Sequence, residues 1–203
     1  LYCDAYLITK NELYKETVYA TLKFVERELM DASGGFYSAI DADSINSKGK
    51  LEEGAYYVWT IKELKSILKK DFDLFAAYYN INSFGYWEHN NYHLIRNASD
   101  VDFSEKHQIT IFQLQEKVEF WKQTLLIERN KKKYPRLDDK ILTSWNGLML
   151  KGYVDAYRVF NDATFLAIAI KNATFIENNM FQEDGSLFRN YKKKGLPQLE
   201  QAP

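Results

Sequence analysis

Two copies of one sequence pattern lie 151 residues apart (153 minus 2), and this repeat limits the possible folds more than any other feature. Tyr2-Cys3-Asp4-Ala5-Tyr6 is matched by Tyr153-Val154-Asp155-Ala156-Tyr157. Each copy is typical of a helix, a short polar turn, a second helix and a glycine-containing turn into an extended aromatic segment. The same offset, without a gap, pairs Asn11 with Asp162, Tyr14 with Phe165, Phe24 with Phe175, Gly34 with Gly185 and Phe36 with Leu187.

Repeated helical hairpins stack side by side, because one hairpin cannot bury its apolar face alone. We therefore predict an all-α fold with short β-strands or hairpins in the connecting loops. The expected architecture is an α/α solenoid or a closed toroid, of which the chain holds only a part. On this prediction residues 1–203 form a fragment of a single toroid domain.

The composition indicates a packed globular protein, since 46% of the residues are hydrophobic and 16% are aromatic. The net charge of -1 gives no basis for binding nucleic acid or an anionic membrane. No apolar run approaches the roughly 20 residues that a membrane span needs. Cys3 is the single cysteine, and no leader or initiator methionine is visible. We expect a cytoplasmic protein of which this sequence is a piece.

The segment from Leu137 to Leu148 concentrates the residues most suited to chemistry. Thr143 and Ser144 precede an apolar helical stripe, and their hydroxyls are predicted to cap its first turn. Gly147 and Gly152 lie inside this helix, where each costs about 1 kcal/mol relative to alanine. We therefore expect a neighbouring helix to approach the chain closely at these two glycines.

Asp138, Asp139 and Lys140 are predicted to place carboxylates and a counter-ion at the mouth of the toroid, with the two aspartates as candidate catalytic groups. A simpler interpretation is a charged helix entrance with one salt bridge that orients the loop. Trp145 and Asn146 are candidate sugar-binding residues, because tryptophan stacks on sugar rings and asparagine hydrogen-bonds to hydroxyls. Trp145 fits a position in the hydrophobic core equally well.

A second acidic group follows the first repeat and consists of Asp41, Asp43, Glu52 and Glu53. Paired carboxylates can serve as acid and base on a sugar when their environments differ, so Asp41 and Asp43 are further catalytic candidates. Their spacing also resembles a calcium loop, but Ile45 stands at a ligand position and Asn46 where glycine is expected. The remaining interpretation is a solvated or capping loop.

Residues 80–100 form a long glycine-, asparagine- and aromatic-rich loop, a kind that is usually functional or flexible. Trp87 and His89 are candidate substrate-binding residues there, and His89 is a possible general acid or base. His89 and His93 have metal-ligand spacing only on a helix, so no metal site is predicted. After this loop, residues 104–128 are predicted to form one long amphipathic helix.

Two motifs resemble those of a known family. Gly34-Gly35-Phe36-Tyr37-Ser38-Ala39-Ile40-Asp41-Ala42-Asp43-Ser44 and Asp138-Asp139-Lys140-Ile141-Leu142-Thr143-Ser144-Trp145-Asn146-Gly147-Leu148 are similar to segments of the YyaL-type proteins, which include the spermatogenesis-associated homologues. The resemblance implies a thioredoxin-like domain followed by an (α/α)6 toroid of the six-hairpin glycosidase and N-acylglucosamine epimerase type. This chain would be the middle part of that toroid. Ile40 departs from the family signature, which has an acidic residue at that position.

The leading functional hypothesis is a domain that binds or processes a carbohydrate, and any enzyme activity would be that of a glycosidase or sugar epimerase. The alternative is a non-catalytic scaffold or interaction domain attached to a thioredoxin-like redox domain. A sugar ligand and that thioredoxin-like domain are the expected partners. We predict no metal, no cofactor, no nucleic acid and no membrane.

Overall fold

The computed structural model describes residues 1–192, and the predicted mostly helical fold is confirmed within them. The part of the domain prediction that concerns residues 193–203 lies outside this range. The described chain divides into a first unit, residues 1–40 and 137–192, and a second unit, residues 41–136. The helices are α1 (Tyr2–Thr9), α2 (Glu12–Leu29), α3 (Ile61–Leu68), α4 (Phe72–Tyr78), α5 (Asp100–His107), α6 (Ile111–Arg129), α7 (Thr143–Phe160) and α8 (Ala163–Met180).

Short antiparallel strands connect these helices, as predicted. Each strand pairs with one partner, so the sheets are two-stranded. None of the helices within residues 1–192 has the length and apolar character needed to cross a bilayer. The strands are β1 (Ala39–Ile40), β2 (Asp43–Ile45), β3 (Leu51–Glu53), β4 (Trp59–Thr60), β5 (Asn91–Tyr92), β6 (Leu137–Asp138), β7 (Ile141–Leu142) and β8 (Asn190–Tyr191).

The first unit contains the predicted repeat as two helical hairpins, hairpin 1 (α1 and α2) and hairpin 2 (α7 and α8). Moving α2 forward by 151 residues gives the bounds of α8 at both ends. The turns agree as well, since Lys10 and Asn161 both adopt left-handed conformations before the second helix of their hairpin. The next residues, Asn11 and Asp162, then cap that helix by accepting a backbone N–H two residues on. The repeat in the amino-acid sequence is therefore also a repeat in backbone conformation.

The two hairpins share one apolar core. Tyr153 and Ala156 of α7 and Phe165 and Ala169 of α8 are buried against Phe36 and the apolar stripe of α2. The rings of Phe36 and Tyr153 stack with centroids 5.7 Å apart, and the Tyr153 hydroxyl donates to the Leu22 carbonyl. Each large side chain buried in this way contributes about 1.5–3 kcal/mol to the hydrophobic stabilisation. The prediction that the helical hairpins stack side by side is confirmed for this unit.

The second unit has its own core, formed by α3, α4 and α6. Trp121 of α6 is fully buried and meets the ring of Phe75 edge to face at 5.4 Å. Thr60 and Glu63 form the reciprocal capping box that starts α3. The single helix predicted for residues 104–128 is wrong, because the chain reverses at Gln108 in a left-handed conformation and a second capping box starts α6.

Two predictions for the start of α7 are also wrong. Thr143 is the first helical residue rather than a cap, and its hydroxyl donates to the carbonyls of Phe188 and Arg189. A Cβ added at Gly147 or Gly152 would find no atom of residues 1–192 within 4 Å, so no helix in this part of the chain approaches closely there. Both glycines have ordinary helical space around them.

Gly147→Ala and Gly152→Ala are therefore expected to stabilise the 203-residue chain by about 0.5–1 kcal/mol each. Alanine loses less conformational entropy than glycine in a helix and meets no obstruction at either position. Urea unfolding of the single and double variants measures the gain, and the two gains should add because the sites share no partner. A destabilised variant at either position would show that the space around α7 is filled.

Candidate functional site

The candidate site of the first unit is built on residues 137–142, which pair with a strand from each copy of the repeat. β6 pairs with β1, placing Asp138 opposite Ala39, and β7 pairs with β8, placing Leu142 opposite Asn190. β1 and β8 occupy equivalent positions 151 residues apart, so this one segment is bonded to the same strand of each copy. The hydroxyl and N–H of Ser38 also donate to the Lys140 carbonyl.

Behind this segment, Asn146 is fully buried and joins both copies through its amide. Its Oδ1 accepts from the Phe36 N–H at 2.8 Å and from Nδ2 of Asn172 at 3.0 Å. Its Nδ2 donates to the carbonyls of Phe36 and Leu142 at 3.0 and 2.9 Å. An amide has two donor hydrogens and two acceptor lone pairs, so these four bonds use its capacity. The Asn146 amide therefore has no donor or acceptor left for a ligand in this geometry. Sugar binding by Asn146 stays a prediction.

The predicted charged residues lie on the exposed side of the segment, and each carboxylate pairs with a lysine. Nζ of Lys140 lies 3.3 Å from the Asp138 carboxylate, and Nζ of Lys192 lies 2.9 Å from that of Asp139. All four side chains remain partly exposed. We call these four residues the acidic edge. Two acceptor groups on this segment and two donor groups, one of them Lys192 after β8, are thus partly exposed to solvent.

Trp145 stands in the first turn of α7, directly after this segment, and its exposed fraction is 51%. The alternative that placed its ring in the hydrophobic core is therefore wrong. Its position on the helix explains this exposure. Asn146, the next residue, points into the core, whereas Leu148, about one turn after Trp145, is exposed as well. Trp145 is therefore accessible to solvent at the start of α7.

Buried Asp31 and half-buried Tyr37 form a hydrogen-bonded pair at the glycine turn after α2. The Tyr37 hydroxyl donates to the Asp31 carboxylate at 2.5 Å, and the same carboxylate accepts from the Ser33 N–H and hydroxyl. Burial raises the pKa of Tyr37 to about 12, with further contributions from the hydrogen bond to Asp31 and from the nearby charge of Asp139. Tyr37 therefore stays a neutral donor over the whole physiological pH range.

Stability is expected to fall with rising pH between about pH 10 and pH 12. An unfolded tyrosine releases its proton near pH 10, whereas folded Tyr37 keeps it until about pH 12, so proton release favours unfolding in this window. Tyr37→Phe should make the fall shallower in urea unfolding at alkaline pH, with Tyr86→Phe at an exposed tyrosine as the control. Identical slopes for Tyr37→Phe and the parent would contradict this assignment.

The second acidic group lies in the second unit, on the hairpin of β2 and β3 and directly before it. β2 pairs with β3, which places Asp43 directly opposite Glu53, and Asp41 accepts from the Asp43 N–H at 3.2 Å. Glu52 accepts from Nδ2 of Asn46 at 2.5 Å. No group of three or more potential metal-ligating side chains occurs within residues 1–192. Acid–base roles for Asp41 and Asp43 stay predictions.

Part of the long loop forms a tight hairpin, and Trp87 and His89 lie in it. His89 and Asn90 both have positive φ and form its turn, closed by a hydrogen bond from the Asn91 N–H to the Glu88 carbonyl. Trp87 stacks on His93 at 4.9 Å. A Cβ added at Gly54 would lie 2.4 Å from the Trp87 ring, so the indole covers this glycine. His89 remains exposed at the tip.

The structure thus gathers part of the predicted set. Asp138, Asp139, Lys140 and Trp145 lie together within the first unit, with Asn146 buried behind them. The other candidates, Asp41, Asp43, Trp87 and His89, belong to the second unit.

Sequence reasoning missed three contributing residues. Lys192 was hidden in a run of lysines, although it completes the acidic edge. Asn172 had a usable signal, because it is an amide within the apolar stripe of α8 that contains Ala169 and Phe175. Lys132 belongs to the basic run from Arg129 to Arg136 and was not singled out in the sequence. Its ammonium lies 4.1 Å from the Trp59 ring centre and donates to the Val58 carbonyl, and burial lowers its pKa.

Comparison with known proteins identifies relatives over most of the chain. Spermatogenesis-associated protein 20 of Mus musculus is 30% identical over 202 residues, and that of Homo sapiens is 28% identical over 210 residues. These alignments cover 89% and 93% of the chain but only 25% and 27% of the relatives. An uncharacterized protein of Caenorhabditis elegans is 29% identical over 221 residues, which is 98% of the chain and 30% of that protein.

The chain therefore spans about a quarter of the length of the mouse and human relatives. No protein-family model matches it. The alignments nevertheless cover about nine-tenths of the chain, so they include the second unit and reach into both hairpins of the first unit. The comparisons support the family that the two motifs resemble, that of spermatogenesis-associated protein 20 and the YyaL-type proteins.

Proposed function

We propose that this chain is a carbohydrate-binding part of a larger protein, and that the acidic edge and Trp145 contact the sugar. The observation that carries the proposal is the pairing of residues 137–142 with both copies of the repeat. This pairing fixes the backbone that bears the acidic edge. A site held by two packed hairpins loses little entropy when it binds a ligand.

The chemistry of the exposed groups suits a polyhydroxylated ligand. The carboxylate oxygens of Asp138 and Asp139 can accept hydrogen bonds, and Lys140 and Lys192 can donate them, so both kinds of partner are present for sugar hydroxyls. The Trp145 indole, half exposed, offers an apolar face on which the C–H face of a pyranose ring can stack. The balanced pairing of two carboxylates with two lysines favours a neutral sugar over a strongly charged one.

The alternative is a scaffold role, in which the motif residues are folding determinants. A specific observation favours it, because Asn146 uses all four of its hydrogen bonds inside the protein. The two functions depend on different residues of the same motif. Buried Asn146 holds the hairpins together in either case, whereas only sugar binding requires the exposed residues.

A binding screen of the chain against neutral mono- and disaccharides and sugar phosphates tests the proposal. We expect Asp138→Asn and Trp145→Ala each to weaken the binding of a detected ligand about tenfold or more, a loss of about 1.4 kcal/mol. Glu183→Gln, at an exposed carboxylate of the β-turn after α8, is the matched control and should bind like the parent. Calorimetric melting of each variant shows whether the fold is retained.

Absence of any ligand in the screen, or equal binding by Asp138→Asn and the parent, would reject sugar binding. A loss of melting temperature in Asp138→Asn without a change in binding would instead support the scaffold function. For the whole protein we propose an (α/α)6 toroid that follows a thioredoxin-like domain, in the cytoplasm. These broader proposals rest on the family resemblance and the low cysteine content.

A further inference from the structure

Helix α6 of the second unit is apolar on two opposite faces. Its inner face carries side chains of the core, namely Leu114, Val118, Trp121 and Leu125. Its outer face carries three large apolar side chains in contact with solvent, since Phe112 is 68% exposed, Phe120 54% and Ile127 61%. A helix on the surface of a domain normally has polar residues on its outer face. The three exposed side chains depart from that pattern, and we call them the outer stripe.

The outer stripe runs along most of the helix. Its members are eight and seven residues apart, which is close to two helical turns, so they lie one above the other. A phenylalanine buries about 150–250 Å² when it enters a contact, so the exposed fractions of the three side chains amount to roughly 300 Å². The largest apolar patch of a monomeric protein is about 300–600 Å² and often has a function. The outer stripe reaches the lower end of this range.

The sequence of the outer face is symmetric about its own centre. Phe112 and Ile127 lie at equal distances from the midpoint between residues 119 and 120, and so do the polar residues Glu116 and Gln123. In two α6 helices that cross antiparallel at this midpoint, each Phe112 meets Ile127 of the second copy. Each Glu116 likewise meets Gln123 of the second copy. This is the pattern of a two-fold interface, in which residue i contacts residue j and j contacts i.

The polar groups beside the outer stripe also fit a second copy. Nε2 of Gln123 donates to the Glu119 carboxylate at 2.7 Å, and its second hydrogen can reach Glu116 of the second copy. Glu119 and Lys122 are exposed on the same flank, and Lys122 forms no ion pair within residues 1–192. An antiparallel pair brings both Glu119 carboxylates to the two-fold axis, with a Lys122 from each copy beside them. The charges at the axis therefore balance.

We infer that the outer stripe is an interface with a second copy of this chain, formed by two antiparallel α6 helices. The two copies together remove six large apolar side chains from water. The buried area is below the roughly 1,200 Å² at which specific and stable interfaces begin. The dimer is therefore reversible, and its formation depends on the protein concentration.

The symmetry of the outer face is the reason for choosing a second copy as the occupant. A face that receives a different protein has no physical reason to be symmetric about its own midpoint, whereas a two-fold dimer requires this. The inference does not depend on the sugar-binding proposal, because α6 belongs to the second unit and the acidic edge to the first.

Sedimentation velocity of the full-length protein from about 10 μM to about 500 μM tests the inference. We expect association that rises with concentration, and Phe120→Glu should weaken it at least about tenfold, because it places two further carboxylates near the two-fold axis. Phe84→Glu, at another exposed phenylalanine of the second unit, is the matched control and should change the association less than about twofold. Circular dichroism of each variant verifies the fold.

A full-length protein that stays monomeric at all these concentrations overturns the inference, and so does a dimer that Phe120→Glu leaves intact. A charge exchange tests the antiparallel register. Glu119→Lys alone should weaken the dimer, because it gathers four positive charges at the axis, and adding Lys122→Glu should restore it. A dimer that the second substitution does not restore contradicts the pairing of α6 helices in this register.

Discussion

Replacing Asn146 by alanine is expected to lower the free energy of unfolding of the chain by about 3 kcal/mol or more. The substitution removes four hydrogen bonds in a fully buried position and leaves the N–H and carbonyl of Phe36 without their partner. Each buried polar group left unpaired costs about 1–3 kcal/mol. Because these bonds connect the turn of hairpin 1 to the start of hairpin 2, the loss affects the contact between the two copies.

Urea unfolding measures this effect, and Asn178→Ala provides a matched control. Asn178 is also an asparagine on a helix of hairpin 2, but it is exposed on α8, so its replacement should change the unfolding free energy by less than about 0.5 kcal/mol. Hydrogen exchange at the Phe36 amide should accelerate in Asn146→Ala. A variant as stable as the parent would show that Asn146 does not connect the hairpins.

Gly34→Ala is expected to destabilise the chain by about 3 kcal/mol or more, well beyond the effect of Gly185→Ala. Both glycines have positive φ, 108° and 84°, which costs an alanine about 1–2 kcal/mol. Only at Gly34 would the added methyl group also collide with a backbone atom, the Lys171 carbonyl oxygen at 2.6 Å. The difference between the two variants therefore measures the close packing of the first turn against α8.

Thermal and urea unfolding of the two glycine variants give this difference directly. We expect Gly185→Ala to cost about 1–2 kcal/mol in the isolated chain, because its surroundings are open and only the backbone conformation is strained. Equal losses for the two variants would mean that the contact between Gly34 and α8 adds nothing. In that case the stacking of the two hairpins would need another explanation.

The repeat made much of the first unit predictable from sequence. A single offset of 151 residues gave the two hairpins, and the structure repeats the cap at Asn11 in Asp162 and the glycine turn of Gly34 in Gly185. These features are local, since a capping side chain or a positive φ depends on a few neighbouring residues. The capping box of Thr60 and Glu63 was predictable for the same reason.

Most features that the sequence did not reveal depend on residues distant in sequence. Thr143 resembles a cap locally, but its hydroxyl donates to the carbonyl of Phe188, 45 residues away. Asn146 resembles a ligand-binding side chain, but it bonds to Phe36 at a separation of 110 residues. Gly147 was interpreted as a position where another helix packs closely, but no atom of the described residues lies within 4 Å of a Cβ added there. Single-residue patterns do not contain such long-range information.

Only part of the candidate site could be predicted from the sequence. The charged residues Asp138, Asp139 and Lys140 stand out in the sequence, and the structure leaves them exposed. The partner of Asp139 was hidden, because Lys192 lies 53 residues further on and begins a run of three lysines. The exposed state of Trp145 also required the structure, since the helical stripe fits a core position equally well.

The most direct test of the proposed site is the indole N–H spectrum of the chain during a sugar titration. Four tryptophans give four indole signals, and they differ sharply in exposure, with Trp121 and Trp59 buried and Trp145 half exposed. We predict that a bound neutral sugar shifts the Trp145 signal together with the backbone signals of Asp138 and Asp139, and leaves the Trp121 signal unchanged. A ligand that shifts other signals while that of Trp145 stays in place would contradict the proposed sugar site.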